Sequence, residues 1–227
     1  GRCERDPSGD LRNALTPHKV RNQAAVKPEG LPELLRAIDS YPNIGDKQTA
    51  LALKLLCLTF VRTTELIGAT WDEFRDLDGD APTWKVPAER MKMKAGHVVP
   101  LSSQAVAILR ELRAIGGGSR YVLPGRDPDK PISNNTLLFA LYRLGYKGKM
   151  TGHGFRAVAS TALNETGWPA DVIERQLAHV ERNKVRGAYN HAEYLPERRK
   201  MMQAWADMMD AYARGADVVP IKRKAST

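Results

Sequence analysis

The chain has 227 residues, 42% of them hydrophobic and 27% charged, enough apolar side chain for a substantial core in a folded domain. Lys and Arg outnumber Asp and Glu by 35 to 26, a net charge of +9 that favours a polyanionic partner, nucleic acid above all, over a merely soluble basic surface. No apolar stretch reaches the ~20 residues that cross a bilayer, and two cysteines, Cys3 and Cys57, exclude a disulfide framework and point to a reducing cytoplasm.

Residues 1–28 are polar and punctuated by Pro7, Pro17 and Pro28; they read as a linker or the remnant of a preceding domain, and without an initiator Met the chain is expected to be part of something longer. The folded part is expected over 29–213. Leu31, Leu34, Leu35 and Ile38 mark an amphipathic helix. Asp46 is placed to cap a second helix over 47–60 that is apolar almost all round and therefore buried, with Cys57 a small core residue inside it. Three strand-like runs follow at 69–74, 83–87 and 97–101, the first two separated by the turn Asp78-Gly79-Asp80 and the last two flanking a basic hairpin tip. Ser102 or Ser103 caps a helix that ends at Gly116-Gly117-Gly118, and further helices are predicted at 134–144, 154–165, 170–178 and 196–213. The fold class is mainly α with a small antiparallel β-sheet (α+β). The tail, 214–227, carries Lys222, Arg223 and Lys224 and is expected to be basic and flexible. Basic clusters at 90–94, 182–186, 198–200 and 222–224 are spread as a surface that embraces a duplex would be.

Four local patterns carry chemistry. Arg62-Thr63-Thr64-Glu65 follows the buried helix. It is either a structural Arg–Glu pair or an Arg clamp on a phosphate positioned by Glu65, since a guanidinium fork meets two oxygens at once. At the hairpin tip, Arg90, Lys92 and Lys94 are either a solvated basic turn with general phosphate contacts or the seat of a lysine that protonates a leaving oxygen; residue type alone does not choose between Lys92 and Lys94. His153 and Arg156 stand at i and i+3 of a helix start opened by Gly152 and Gly154, so both side chains reach one point beside a helix N-terminus. Finally, Leu177-Ala178-His179 precedes Tyr189 by ten residues; a tyrosine hydroxyl, with its pKa near ~10, needs surrounding positive charge to act as a nucleophile. The rival use of such residues is metal catalysis. Neither cysteine pairs with a histidine at ligand spacing, and Asp76, Asp78 and Asp80 look like a turn, so no metal or other cofactor is expected.

In this order the patterns resemble the catalytic domain of tyrosine recombinases, above all integrases of phages and genomic islands. The resemblance runs from about Leu31 to Tyr212: the Arg box 60–66, a hairpin lysine eight residues before Pro100, the His153–Arg156 box, a histidine after Leu177-Ala178, and a tyrosine ten residues later, which selects Tyr189 over Tyr194. It implies site-specific recombination through a 3′-phosphotyrosyl intermediate. Arg62 and Arg156 hold the scissile phosphate, His153 and His179 bond the same oxygens, Lys92 protonates the departing 5′ oxygen and Tyr189 attacks. Glu65 supports the site, and Arg90 and Lys94 contact DNA. It also implies a core-binding domain N-terminal to this one, a bacterial or phage-encoded protein of the cytoplasm, a homo-tetramer on double-stranded DNA at full length, and a monomeric isolated domain with weak DNA binding. A type IB topoisomerase, or a non-catalytic DNA-binding module on the same fold, are the alternatives. The apolar stripe Met201, Met202, Trp205, Met208 and Met209 packs either on its own core or on a neighbouring subunit.

Overall fold

Helix α1 (Leu31–Ser40) buries Leu31, Leu34, Leu35 and Ile38, the inward stripe that a 3.6-residue period dictates. The computed structural model describes residues 23–91, 94–179 and 193–215. After α1 comes α2 (Lys47–Thr59), started by the Asp46 carboxylate, which accepts the Thr49 backbone N–H at 2.7 Å and the Thr49 hydroxyl at 2.8 Å. Only Lys47, Gln48 and Lys54 of its 13 residues escape the core, because the other helices surround it. The chain leaves α2 through Phe60 in the left-handed region (φ 39°). The Phe60 ring is fully buried, edge-on to Trp205 with centroids 6.0 Å apart. That reversal delivers Arg62 as the N-cap of the short helix α3 (Thr63–Ile67).

The sheet is antiparallel in the order β1 (Phe74–Arg75), β2 (Thr83–Val86), β3 (His97–Pro100), with Phe74 opposite Trp84, Trp84 opposite Val99 and Val86 opposite His97. The first strand is shorter than its composition predicts. Residues Trp71–Glu73 wind into a 3₁₀ turn that splits the run: Thr70 makes an isolated antiparallel bridge with Tyr121, and the ladder to β2 begins only at Phe74. The turn between β1 and β2 is a turn indeed: Asp76 accepts the Ala81 amide at 2.8 Å and Asp78 pairs with Arg110.

Ser102 caps α4 (Ser103–Ile115), which lies along α2. Then follow α5 (Thr136–Arg143), α6 (Gly154–Glu165), α7 (Ala170–Gln176) and the long α8 (Leu195–Ala213). The stripe on α8 packs on its own chain: Met201, Met202, Trp205 and Met209 are at most 3% exposed, and the Trp205 indole N–H donates to the Cys57 carbonyl at 2.9 Å. Arg198, expected in a surface basic cluster, is instead fully buried. Its guanidinium donates to Gln176 Oε1, to the Val98 carbonyl and to the Glu193 carbonyl, stitching α8 to α7 and β3. Hydrogen bonds from all three of its nitrogens make the buried guanidinium tolerable; burial, then the charge of Arg175, lowers its pKa to about 9. No described helix is long and apolar enough to cross a membrane.

Candidate active site

The site forms where the α2–α3 reversal meets the start of α6 and the end of α7. Arg62 is held by its own helix: the Glu65 carboxylate accepts the Arg62 backbone N–H at 2.9 Å and pairs with Nη1 at 2.7 Å, a reciprocal box in which the carboxylate is 2% exposed. The other guanidinium nitrogen, Nη2, leans to the Ala178 carbonyl at 3.5 Å. The structural Arg–Glu pair is thus present, and the same contact fixes where the arginine points.

Arg156 enters from α6 and is 3% exposed. Nη1 donates to the Phe60 carbonyl at 2.8 Å, and Nη2 donates to the Leu177 carbonyl at 2.6 Å and lies 3.3 Å from His179 Nε2. Nε is buried with no hydrogen-bond partner among the described residues. Burial first, and the Arg62 charge second, bring its pKa down to about 10. Two carbonyls orphaned by the Phe60 reversal and by the end of α7 thus serve as the seat of one guanidinium.

His153 stands exposed as the N-cap of α6. Partial burial holds it below the ordinary histidine value, helped by the positive charges of Arg156, Arg62 and His179, which places all four groups within electrostatic reach. The close approach needs Gly152, because a Cβ there would lie 2.3 Å from Thr63 Oγ1 on α3. His179 is oriented by Glu174, 2.7 Å from its Nδ1. The turn through Ala178 (φ 49°) brings the two together after α7 ends. With Nδ1–H directed at the carboxylate, Nε2 is left as an acceptor facing Arg156.

Glu174 was not foreseen. Its signal, a carboxylate five residues before a histidine across a helix end, is too common to read without the turn. Arg90 is brought beside the site but used inside the fold: its guanidinium pairs with Glu73 and donates to the Glu65 carbonyl. Lys94 is exposed at the hairpin, in the left-handed region. Lys92 and Tyr189 lie outside the described residues, as does the basic run 182–186. Among the described residues no three His, Cys, Asp or Glu side chains gather as a metal site.

The chain is similar to known proteins along most of its length. The model of the family described as "Phage integrase family" matches residues 24–195. The prophage integrase IntA of Escherichia coli K12 is 41% identical over 94% of this chain and 51% of its own length. The integrase of Enterobacteria phage P4 is 45% identical over 90% and 49%. The chain therefore spans about half the length of the curated relatives it matches. Among solved structures, a lambda integrase dimer bound to a COC′ core site aligns with TM-score 0.56 at 16% identity, covering 74% of this chain and 62% of that one. The XerA recombinase aligns at 0.55 and 16%, covering 82% and 66%. The same fold recurs at identities where only architecture persists, and sequence identity above 40% covers nine-tenths of the chain: it belongs to the phage integrase family.

Proposed function

We propose that this chain is the catalytic part, over 29–213, of an integrase that recombines double-stranded DNA at specific sites by metal-free cleavage and rejoining. Residues 1–28 then lead from a core-binding domain, and 214–227 form a basic tail. The observation that carries the reading is the convergence of Arg62, Arg156, His153 and His179, drawn from three distant stretches of the chain, on one point. A cluster of this charge, with guanidinium forks locked by carbonyls and a carboxylate, suits the crowded, doubly charged transition state of phosphoryl transfer.

In the reaction Tyr189 Oη attacks phosphorus, forming the 3′-phosphotyrosyl bond as the bond to the 5′ oxygen breaks. The tyrosine proton passes to His153, which its surroundings keep unprotonated at neutral pH. The 5′ oxygen takes a proton from Lys92. Reversal with a new 5′-hydroxyl rejoins the strand, and no external energy is needed because the phosphodiester is conserved as the tyrosyl ester. Relatives named as integrases favour strand exchange over the relaxation of a type IB topoisomerase. The lambda integrase bound as a tetramer to a Holliday junction supports a tetramer on DNA for the full-length protein, with the isolated chain a monomer.

The test is a nicked duplex carrying the junction sequence of the element that encodes the chain. Wild type is expected to leave a covalent adduct on a denaturing gel and Tyr189→Phe none; an adduct that persists in Tyr189→Phe overturns the assignment.

A further inference from the structure

Arg90 sits in the 3₁₀ turn Ala88–Arg90, on the way from β2 to the hairpin tip, where a free cation would be a DNA contact. Its side chain is instead folded back against α3. One guanidinium nitrogen pairs with Glu73, a carboxylate only 7% exposed that also accepts the Trp84 indole N–H at 2.7 Å and the Thr70 hydroxyl at 3.2 Å. The other donates to the main-chain carbonyl of Glu65. Gly68 leaves room for this: a Cβ at that position would stand 3.2 Å from Arg90 Nη2 and 3.4 Å from Nε. The residue whose carbonyl Arg90 holds is the one whose carboxylate aims Arg62. Directly after Arg90, Met91 is 3% exposed, and Lys92 follows in sequence.

We propose that Arg90 is a positioning residue for strand cleavage, tying the β2–β3 connection to the Arg62–Glu65 helix, and not a ligand of DNA phosphate; this rests on the integrase reading above. The physical reason is geometric. A planar fork can bridge a carboxylate on the sheet side and a carbonyl on the helix side at once, whereas a lysine presents one point charge. Holding the Glu65 carbonyl fixes the main chain from which its carboxylate reaches Arg62, and displacement of a catalytic group by about 1 Å costs on the order of 100-fold in rate.

The experiment compares Arg90→Lys, Glu73→Gln and Lys94→Met in the full chain, by two readouts. One is the single-turnover rate of adduct formation at saturating nicked duplex; the other is the slope of log affinity against log salt concentration. Arg90→Lys and Glu73→Gln are expected to slow cleavage by roughly 10- to 100-fold with the salt slope unchanged. Lys94→Met, on the exposed hairpin, is the comparison for a lost phosphate contact: a slope lowered by about 1. A wild-type rate in Arg90→Lys, or a rate lost there but kept in Glu73→Gln, overturns the proposal. If Glu73→Gln does not fold, Gly68→Ala takes its place: it presses on the guanidinium and is expected to slow cleavage without touching the salt slope, and an unaltered rate there counts against the proposal equally. All rates are relative to the wild-type adduct: a wild type that forms none counts against the integrase reading on which this proposal rests, whereas a normal wild-type adduct with an unaltered Arg90→Lys rate counts against this proposal alone.

Discussion

At the Arg62–Glu65 box, a carboxylate 2% exposed is tolerable because two N–H groups of one arginine neutralise and satisfy it. Glu65→Gln keeps the size but can satisfy only part of that pair. It is expected to cost about 1–3 kcal/mol by urea denaturation and to lower the cleavage rate at saturating DNA. Gly152 offers a sharper case, since its substitution puts a Cβ 2.3 Å from Thr63 Oγ1. Gly152→Ala is expected to destabilise the fold and reduce adduct yield. Adding Thr63→Ala removes the hydroxyl and leaves contacts at 3.5 Å, so the double variant is expected to recover much of both. His153 works at this scale as well. Its pKa lies below the ordinary histidine value, so in its proposed role as proton acceptor the cleavage rate is expected to rise with pH along a limb shifted to lower pH than a free imidazole would give. His153→Gln is expected to flatten that limb of the pH–rate profile.

Among the elements, α2 is specified twice, by its cap and by its burial. Asp46→Ala removes both bonds to Thr49 and is expected to destabilise the protein by about 1 kcal/mol in chemical denaturation, without altering the cleavage rate at saturating DNA. The helix and its cap were legible in the sequence because both signals are local. So were the starts of α6 and α7 and the span of α8. The break within the strand expected at 69–74 was not, because the first part of the run bridges to Tyr121, which lies far along the chain, before the 3₁₀ turn at Trp71–Glu73. The cis packing of the α8 stripe was equally open until Trp205 was found donating to Cys57, a partner 148 residues away.

Over the whole molecule, buried charge and its pH dependence depend on contacts between layers. His97 on β3 is 5% exposed, and its neutral Nε2–H donates to the Gln176 carbonyl at 3.0 Å. Burial, then the charge of Arg198, lowers its pKa from 6.5 to about 3. The folded state therefore stays unprotonated while the unfolded chain takes up a proton below 6.5. Above that pH the residue contributes no pH dependence. As the pH falls from 6.5 towards about 3, it removes stability at up to about 1.4 kcal/mol per unit. Denaturation midpoints across this window are expected to fall less steeply in His97→Gln than in wild type; equal slopes would contradict the sign.

Sequence alone determined the order of the helices, the position of the sheet, and which residue types stand at which spacing: Arg62 after a buried helix, His153 and Arg156 three apart, His179 ten before Tyr189. These follow from periodicity, capping and spacing, which act over a few residues. Tertiary structure decided how the arginines are used. Arg62 and Arg156 present themselves at one point, Arg198 disappears into the core, and Arg90 turns inward to Glu73 and Glu65. A guanidinium has the same charge and reach in every case, and its place is set by which carbonyls and carboxylates the folded chain leaves without other donors. Apart from Glu65 beside Arg62 and the Glu193 carbonyl beside Arg198, those acceptors come from segments 17 to 116 residues away, beyond any local pattern.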